Sequence, residues 1–419
     1  MTADSARRSR SNPAQPRHLP SLTHRLLPAL VLFFLPLASA AAADAAWSHF
    51  QDGREAFEAK RYDLALGDWQ KAIAERSARF VIVLASIDAA MALPEAKASW
   101  DSIDALVQRL GVAEFGARQY MAVKEGAGGS LRREMETLHG MTKSSVFGNF
   151  TSAWLAVAEL RGTEAIHDSL AALRNLALIL QSYPEAEFGI GRVFMIEGET
   201  ELAKYQFQRA LEASASLEVP DERYEILAAL ADLYRAQRDW TSYEAELRLS
   251  LSEAPVFSKT NDFLRAAMER ALDIEGFDSM LRLYPLDDSR IIGPAANLGE
   301  FLLRNGRPQA ALYLALSTDA IATRALAKLR IDDPSLAYSS LVDLSGLIAA
   351  DRDLAAWCDE SGLWKYLYYL GEALVADSRL DSGRSLFQAL VKARGSGPWG
   401  KAAALALARP LGAPAPLLP

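Results

Sequence analysis

The chain has 419 residues, half of them hydrophobic, and a formal charge of −8. That is enough apolar material for one large domain or two to three ordinary ones, and the acidity disfavours the cationic surface that nucleic acid demands. The lone cysteine, Cys358, excludes an intrachain disulfide and a cysteine-built metal cluster.

Residues 1–43 read as an export signal. Arg7, Arg8, Arg10, Arg17 and Arg25 precede the apolar run LLPALVLFFLPLASA, and Ala38, Ala40, Ala41 and Ala43 supply the small residues a signal peptidase needs. Pro28 and Pro36 interrupt the run, which is short of the roughly 20 residues of a spanning helix, so a retained anchor is the weaker alternative. No cysteine lies near the cleavage site, which argues against a lipoprotein. Removing the segment takes away five arginines and Asp4 and leaves a still more acidic chain with no integral membrane span. The leader is bacterial in style, and the expected location is periplasmic or otherwise exported.

From Trp47 to about residue 395 the apolar residues recur every three to four positions, and alternating β-branched runs are nearly absent. The fold class expected is therefore all-α. Turn-forming stretches such as AKRYD near 60, ALPEA near 94, EGET at 197–200, RNGRPQ at 304–309 and ADSRLDS at 376–382 divide the chain into helices of ten to eighteen residues.

The stretch GREAFEAKRYDLALGDWQKA places Gly53, Ala65, Trp69 and Ala72 at the same offsets as Gly191, Ala203, Phe207 and Ala210 in GRVFMIEGETELAKYQFQRA. Weaker copies carry Ala231, Tyr234 and Trp240; Gly299, Gly306 and Ala311; and Gly371, Leu380, Gly383 and Phe387. Small residues let two helices approach to the short end of the usual range of about 8–10 Å. The expectation is that Gly53 meets Ala65, and Gly191 meets Ala203, at the crossing, with the aromatic filling the wedge beyond.

This pattern resembles the tetratricopeptide repeat, a helix-turn-helix unit of about 34 residues. The spacing agrees: Ala231 to Gly299 is 68 residues, Gly191 to Ala231 is 40, Gly299 to Gly371 is 72, and Gly53 to Gly191 is 138. The resemblance implies an α-solenoid of antiparallel helical hairpins. The organisation expected is a signal at 1–43, repeats at 44–123, a flexible connection at 124–152, a longer repeat array at 153–395, and a capping helix with a disordered Pro/Ala-rich tail at 396–419.

Motifs for chemistry are thin. GAGGS at 126–130 and HGMTKSS at 139–145 lack the pattern of a phosphate-binding loop, and no nucleophile elbow is present. His49, His139 and His167 stand in no metal-ligating spacing and read as surface or loop histidines. Glu360 and Ser361 match the Glu-Ser pair of lytic transglycosylases, but the glycine-rich segment that accompanies it there is missing, and Glu360 reads as a helix-start carboxylate. The expectation is a non-enzymatic chain without cofactor or metal.

In the family resembled, the first helix of each pair builds the concave wall of the superhelix. That register gives a wall of Phe50, Arg54 and Phe57 from the first unit and Phe188, Arg192 and Met195 from the second. Asp232, Arg235, Tyr368 and Glu372 continue it. The recurring Phe-x-x-x-Arg suits a protein or peptide partner, because aromatics and arginine dominate interface energetics. The family's carboxylate clamp is not matched, since no asparagine stands at these places. The expected function is a periplasmic scaffold or adaptor that binds a protein or peptide partner in its concave groove, as in an envelope assembly or secretion complex. The alternatives are an accessory ligand-handling subunit of a solute-transport system, and a cell-wall hydrolase.

Overall fold

The computed structural model describes residues 45–94, 101–103, 105–106, 160 and 165–409, apart from 218, 220 and 258–260. The export signal, the connection at 124–152, His139 and the tail beyond 409 lie outside the described residues. All regular structure among those described is helical.

The chain enters through α1 (45–58) and α2 (Tyr62–Met91), and continues after the undescribed stretch with α3 (Ile166–Leu180), α4 (Pro184–Glu197) and α5 (Thr200–Glu212). Then follow α6 (Glu222–Gln237), α7 (Trp240–Ser252), α8 (Asp262–Ile274), α9 (Phe277–Leu283), α10 (Ile292–Arg304) and α11 (Ala310–Asp332). The last are α12 (Leu341–Ala350), α13 (Arg352–Glu360), α14 (Leu363–Ala376), α15 (Leu380–Arg394) and α16 (Pro398–Ala408). At 30 and 23 residues, α2 and α11 exceed the expected ten to eighteen. The sequence explains both: neither Gly nor Pro occurs between Gly67 and Pro94, or between Gly306 and Pro334 apart from Pro308 in the turn, so nothing interrupts the backbone ladder.

Five helix pairs are joined by one turn design. The residue seven places after each small residue is left-handed: Lys60 after Gly53, Gly198 after Gly191, Arg238 after Ala231, Gly306 after Gly299 and Ser378 after Gly371, with φ between 59° and 82°. In every case the next amide donates back across the turn: Arg61 to the carbonyl of Ala56, Glu199 to Phe194, Asp239 to Tyr234, Arg307 to Leu302 and Arg379 to Leu374, at 2.7–2.9 Å. This is the closing bond of the Schellman motif, which satisfies the carbonyls a helix end would leave orphaned.

The glycines meet the aromatics themselves. A Cβ on Gly53 would lie 2.6 Å from Trp69, one on Gly191 2.5 Å from Phe207, and one on Gly371 2.5 Å from Phe387. The expected crossing of Gly53 with Ala65 and of Gly191 with Ala203 is thus corrected. The ring is seated on the glycine of its partner helix, and Ala65, Ala72, Ala203 and Ala210 are buried beside it. A ring that large fits between two closely packed helices only where one helix has no side chain at all.

The pairs stack in chain order. α5 packs on α6, α7 on α10, α11 on α14, and α15 on α16. Because α7 reaches α10 directly and α11 reaches α14 directly, α8–α9 and α12–α13 are insertions lying beside the stack, with α9 against α11 and α12 against α15. The intervals of 68 and 72, read as whole repeats, contain these side pieces. The pieces on either side of the undescribed stretch share a core: α2 packs on α3 and α4, and Ala56, Ala65 and Trp69 bury against Tyr183, Ala186, Ile190 and Val193. A second core runs unbroken from Ala203 on α5 to Ala406 on α16.

Candidate functional site

The junction of the first two pairs gathers six of the ten expected wall residues. On α1, Phe50, Gly53, Arg54 and Phe57 fall three to four residues apart and so share one side of the helix. On α4, Phe188, Gly191, Arg192 and Met195 do the same. Trp69 of α2 locks the helices together. Its ring lies between Gly53 of α1 and Gly189 of α4, where an added Cβ would come within 2.8 Å, and its indole N–H donates to the Phe50 carbonyl at 3.2 Å. Burying a tryptophan contributes on the order of 4–6 kcal/mol, and the hydrogen bond removes the penalty of its one polar atom.

Around this rivet the aromatics chain together. Phe57 meets Trp69 at 5.7 Å and Tyr62 at 5.6 Å, Phe188 meets Phe207 at 5.5 Å, and Phe50 meets Tyr183 at 5.2 Å. The Arg192 guanidinium bridges the two pairs, 4.4 Å above the Phe57 ring and 5.9 Å from Phe188. Arg54 and Arg192 are both exposed, and neither makes an ion pair among the described residues. The result is a surface with aromatic walls that carries two arginines without an ion-pair partner among the described residues. Met195 is half-buried and packs into the core.

The remaining expected wall residues behave differently. Asp232 and Arg235 are exposed but neutralise each other at 2.8 Å. Tyr368 and Glu372 are corrected outright: they are 1% and 4% exposed, roofed by α16. The Tyr368 hydroxyl donates to Glu372 at 2.6 Å, Arg409 pairs with Glu372 at 2.9 Å, and Trp399 of α16 packs on both Tyr368 and Tyr369. Burial, helped by the hydrogen bond that the hydroxyl donates to Glu372, pushes the Tyr368 hydroxyl up to about 12. These side chains seal the end of the stack and are closed to a partner.

Three other groups differ from expectation. His49 and His167 lie within α1 and α3, half-buried, not in loops, and His49 faces Glu75 at 3.4 Å. Glu360 ends α13 instead of starting a helix. Among the described residues no three His, Cys, Asp or Glu side chains converge on a metal-sized site. Cys358 is buried, and that burial pushes its thiol up to about 12, far from a reactive thiolate.

Sequence reasoning missed the far side of the junction. There a cleft of about 310 Å³ is lined by Ile73, Ser77, Tyr183, Glu187, Arg209 and Glu212 among others. Arg209 pairs with Glu187 at 2.6 Å, yet burial outweighs the guanidinium and raises the Glu187 carboxyl above its ordinary range. Arg76, buried beneath, lies 4.4 Å over Tyr183 and donates to the Leu180 carbonyl. The one legible signal was the doubled glycine in FGIGR, which marks α4 as a helix approached from two sides.

No family model matches the chain, and no solved structure matches it. It is similar to an uncharacterized protein of Treponema pallidum (strain Nichols), 26% identical over 215 residues. That match covers 50% of this chain and 58% of the relative, so the chain spans little more than half the relative's length. Among the described residues no helix is long and apolar enough to cross a membrane.

Proposed function

We propose that the chain is an exported, non-enzymatic scaffold, an α-solenoid of tetratricopeptide-like pairs that holds a segment of a partner protein across its first two units. The observation that carries this reading is Arg192, whose guanidinium rests on Phe57 of one pair and Phe188 of the next while its charge stays free. An arginine preoriented on aromatic walls loses little entropy when it meets a carboxylate, and it is a residue type that dominates binding hot spots. The five identical turns and the glycine-seated aromatics support the repeat reading, and the arginine-rich leader supports export.

The test is a photo-crosslinking side chain at Trp47, exposed on α1 next to Phe50, in cells that export the protein. The expected result is a discrete adduct that disappears in the double variant Arg54→Glu, Arg192→Glu while circular dichroism of that variant is unchanged. An adduct of undiminished yield overturns the assignment. A second reading, a ligand-handling subunit, is favoured by the cleft beside Glu187 and Arg209; native mass spectrometry showing a retained small molecule would support it.

A further inference from the structure

A second surface, sharing no residue with the first, lies where α7 meets α10. Trp240 opens α7, is 48% exposed, and stacks on Phe301 with ring centres 6.0 Å apart and planes at 26°. Tyr243 stands edge-on to both, so the exposed indole is braced from below. Beside it a groove of about 420 Å³ is lined by Trp240, Thr241, Glu244, Ala245, Arg248, Phe301 and Arg307. A large aromatic held rigid and left open to water is unfavourable in isolation, and it is the residue type found at the centre of interfaces.

Charge decides what fits there. Glu244 is held by Arg248 on one oxygen at 2.8 Å and by Arg307 on the other, and the Arg307 hydrogen bond keeps its carboxyl below the usual range. Next to Phe301, Glu300 carries Arg304 at 2.7 Å and Lys365 at 3.0 Å. Each carboxylate thus has two cations, which leaves this face positive on a chain whose net charge is −8. Arg248 is fixed further by donating to the Tyr313 hydroxyl at 3.2 Å. A cationic face maintained on an acidic protein attracts an acidic partner and discriminates against a basic one.

We propose that this groove receives an extended, acidic segment of a partner protein, with an apolar or aromatic side chain on Trp240 and the neighbouring carboxylates on Arg248 and Arg307. Its contacts are side-chain carboxylates along the segment, so no free chain end is required. The site stands apart from the α1–α4 surface, and either reading can fail without the other.

The experiment is fluorescence anisotropy on the full chain with a fluorescein-labelled peptide of glutamates around one central tyrosine. Expected are saturable binding that weakens with salt, a loss of roughly tenfold or more in Arg307→Gln and in Trp240→Ala, and near-retention in Trp240→Phe. Arg307 sits on a surface turn, so its variant reports on binding even where Trp240→Ala loosens the fold. Equal affinity for the lysine-for-glutamate peptide, equal affinity in Arg307→Gln, or tighter binding of an oligogalacturonate of similar charge overturns the proposal.

Discussion

At the scale of single residues the fold depends on absent side chains. Gly53, Gly191 and Gly371 sit in helix interiors, where glycine is about 1 kcal/mol worse than alanine, and each faces the ring sixteen residues later: Trp69, Phe207 and Phe387. Gly67, on the half-buried side of α2, has open space where a Cβ would go. The same chemical change therefore has opposite signs. Gly53→Ala or Gly191→Ala forces the ring off its seat and destabilises by about 1–3 kcal/mol, whereas Gly67→Ala stabilises by about 0.5–1 kcal/mol. Urea unfolding midpoints measured side by side decide it, and parallel shifts in the two classes would contradict the seating of the rings. The importance of these glycines was legible because interior helix glycines are rare without a packing reason. Their partner was not, since the sequence places Ala65 and Trp69 on the same buried face and does not say which one the glycine touches.

At the scale of elements the turns carry the repetition better than the helices do. Lys60, Arg238 and Ser378 adopt the left-handed conformation that Gly198 and Gly306 adopt without strain, and a non-glycine residue pays about 1–2 kcal/mol for it. Glycine at those places returns most of that, less the extra chain entropy glycine loses on folding. Lys60→Gly, Arg238→Gly and Ser378→Gly each raise stability by about 0.5–1 kcal/mol. Because the turns are far apart in the chain and share no partner, the triple variant gains close to the sum. Thermal melting of the singles and the triple checks both the sign and the additivity. The sequence hides this feature, for a lysine, an arginine and a serine at one structural position advertise no common turn. It hides the insertions as well: 68 and 72 residues are at or near a multiple of 34, the length the resemblance implies, and only packing shows that α8–α9 and α12–α13 stand aside.

At the scale of the whole molecule the all-helical class and the succession of helix pairs were legible from apolar spacing, and a capping helix was expected within 396–419, whereas the side chains that this helix covers were not legible. Tyr368 and Glu372 stand where the tetratricopeptide resemblance implies a wall, and they are buried because α16, thirty residues further on, folds back over them with Trp399 and Arg409. The first insertion is also tied in from a distance. Asp319, wholly buried on α11, takes the Leu286 amide at 2.8 Å and the Thr323 hydroxyl at 3.1 Å, which fastens the chain after α9 to the stack. Its other oxygen has no hydrogen-bond partner among the described residues, and burial pushes the carboxyl up to about 8 from an ordinary 3.8. Between those values the folded chain keeps a proton that the unfolded chain has released. Stability contributed by this group is therefore full below pH 4 and is lost as pH rises toward 8, by no more than about 1.4 kcal/mol per pH unit. Asp319→Asn keeps the acceptor for Leu286 and Thr323 and cannot ionise. The difference in unfolding free energy between wild type and Asp319→Asn, followed from pH 5 to pH 8, should move steadily in favour of the variant; a flat difference would mean that Asp319 stays charged in the fold and that an unseen partner compensates it.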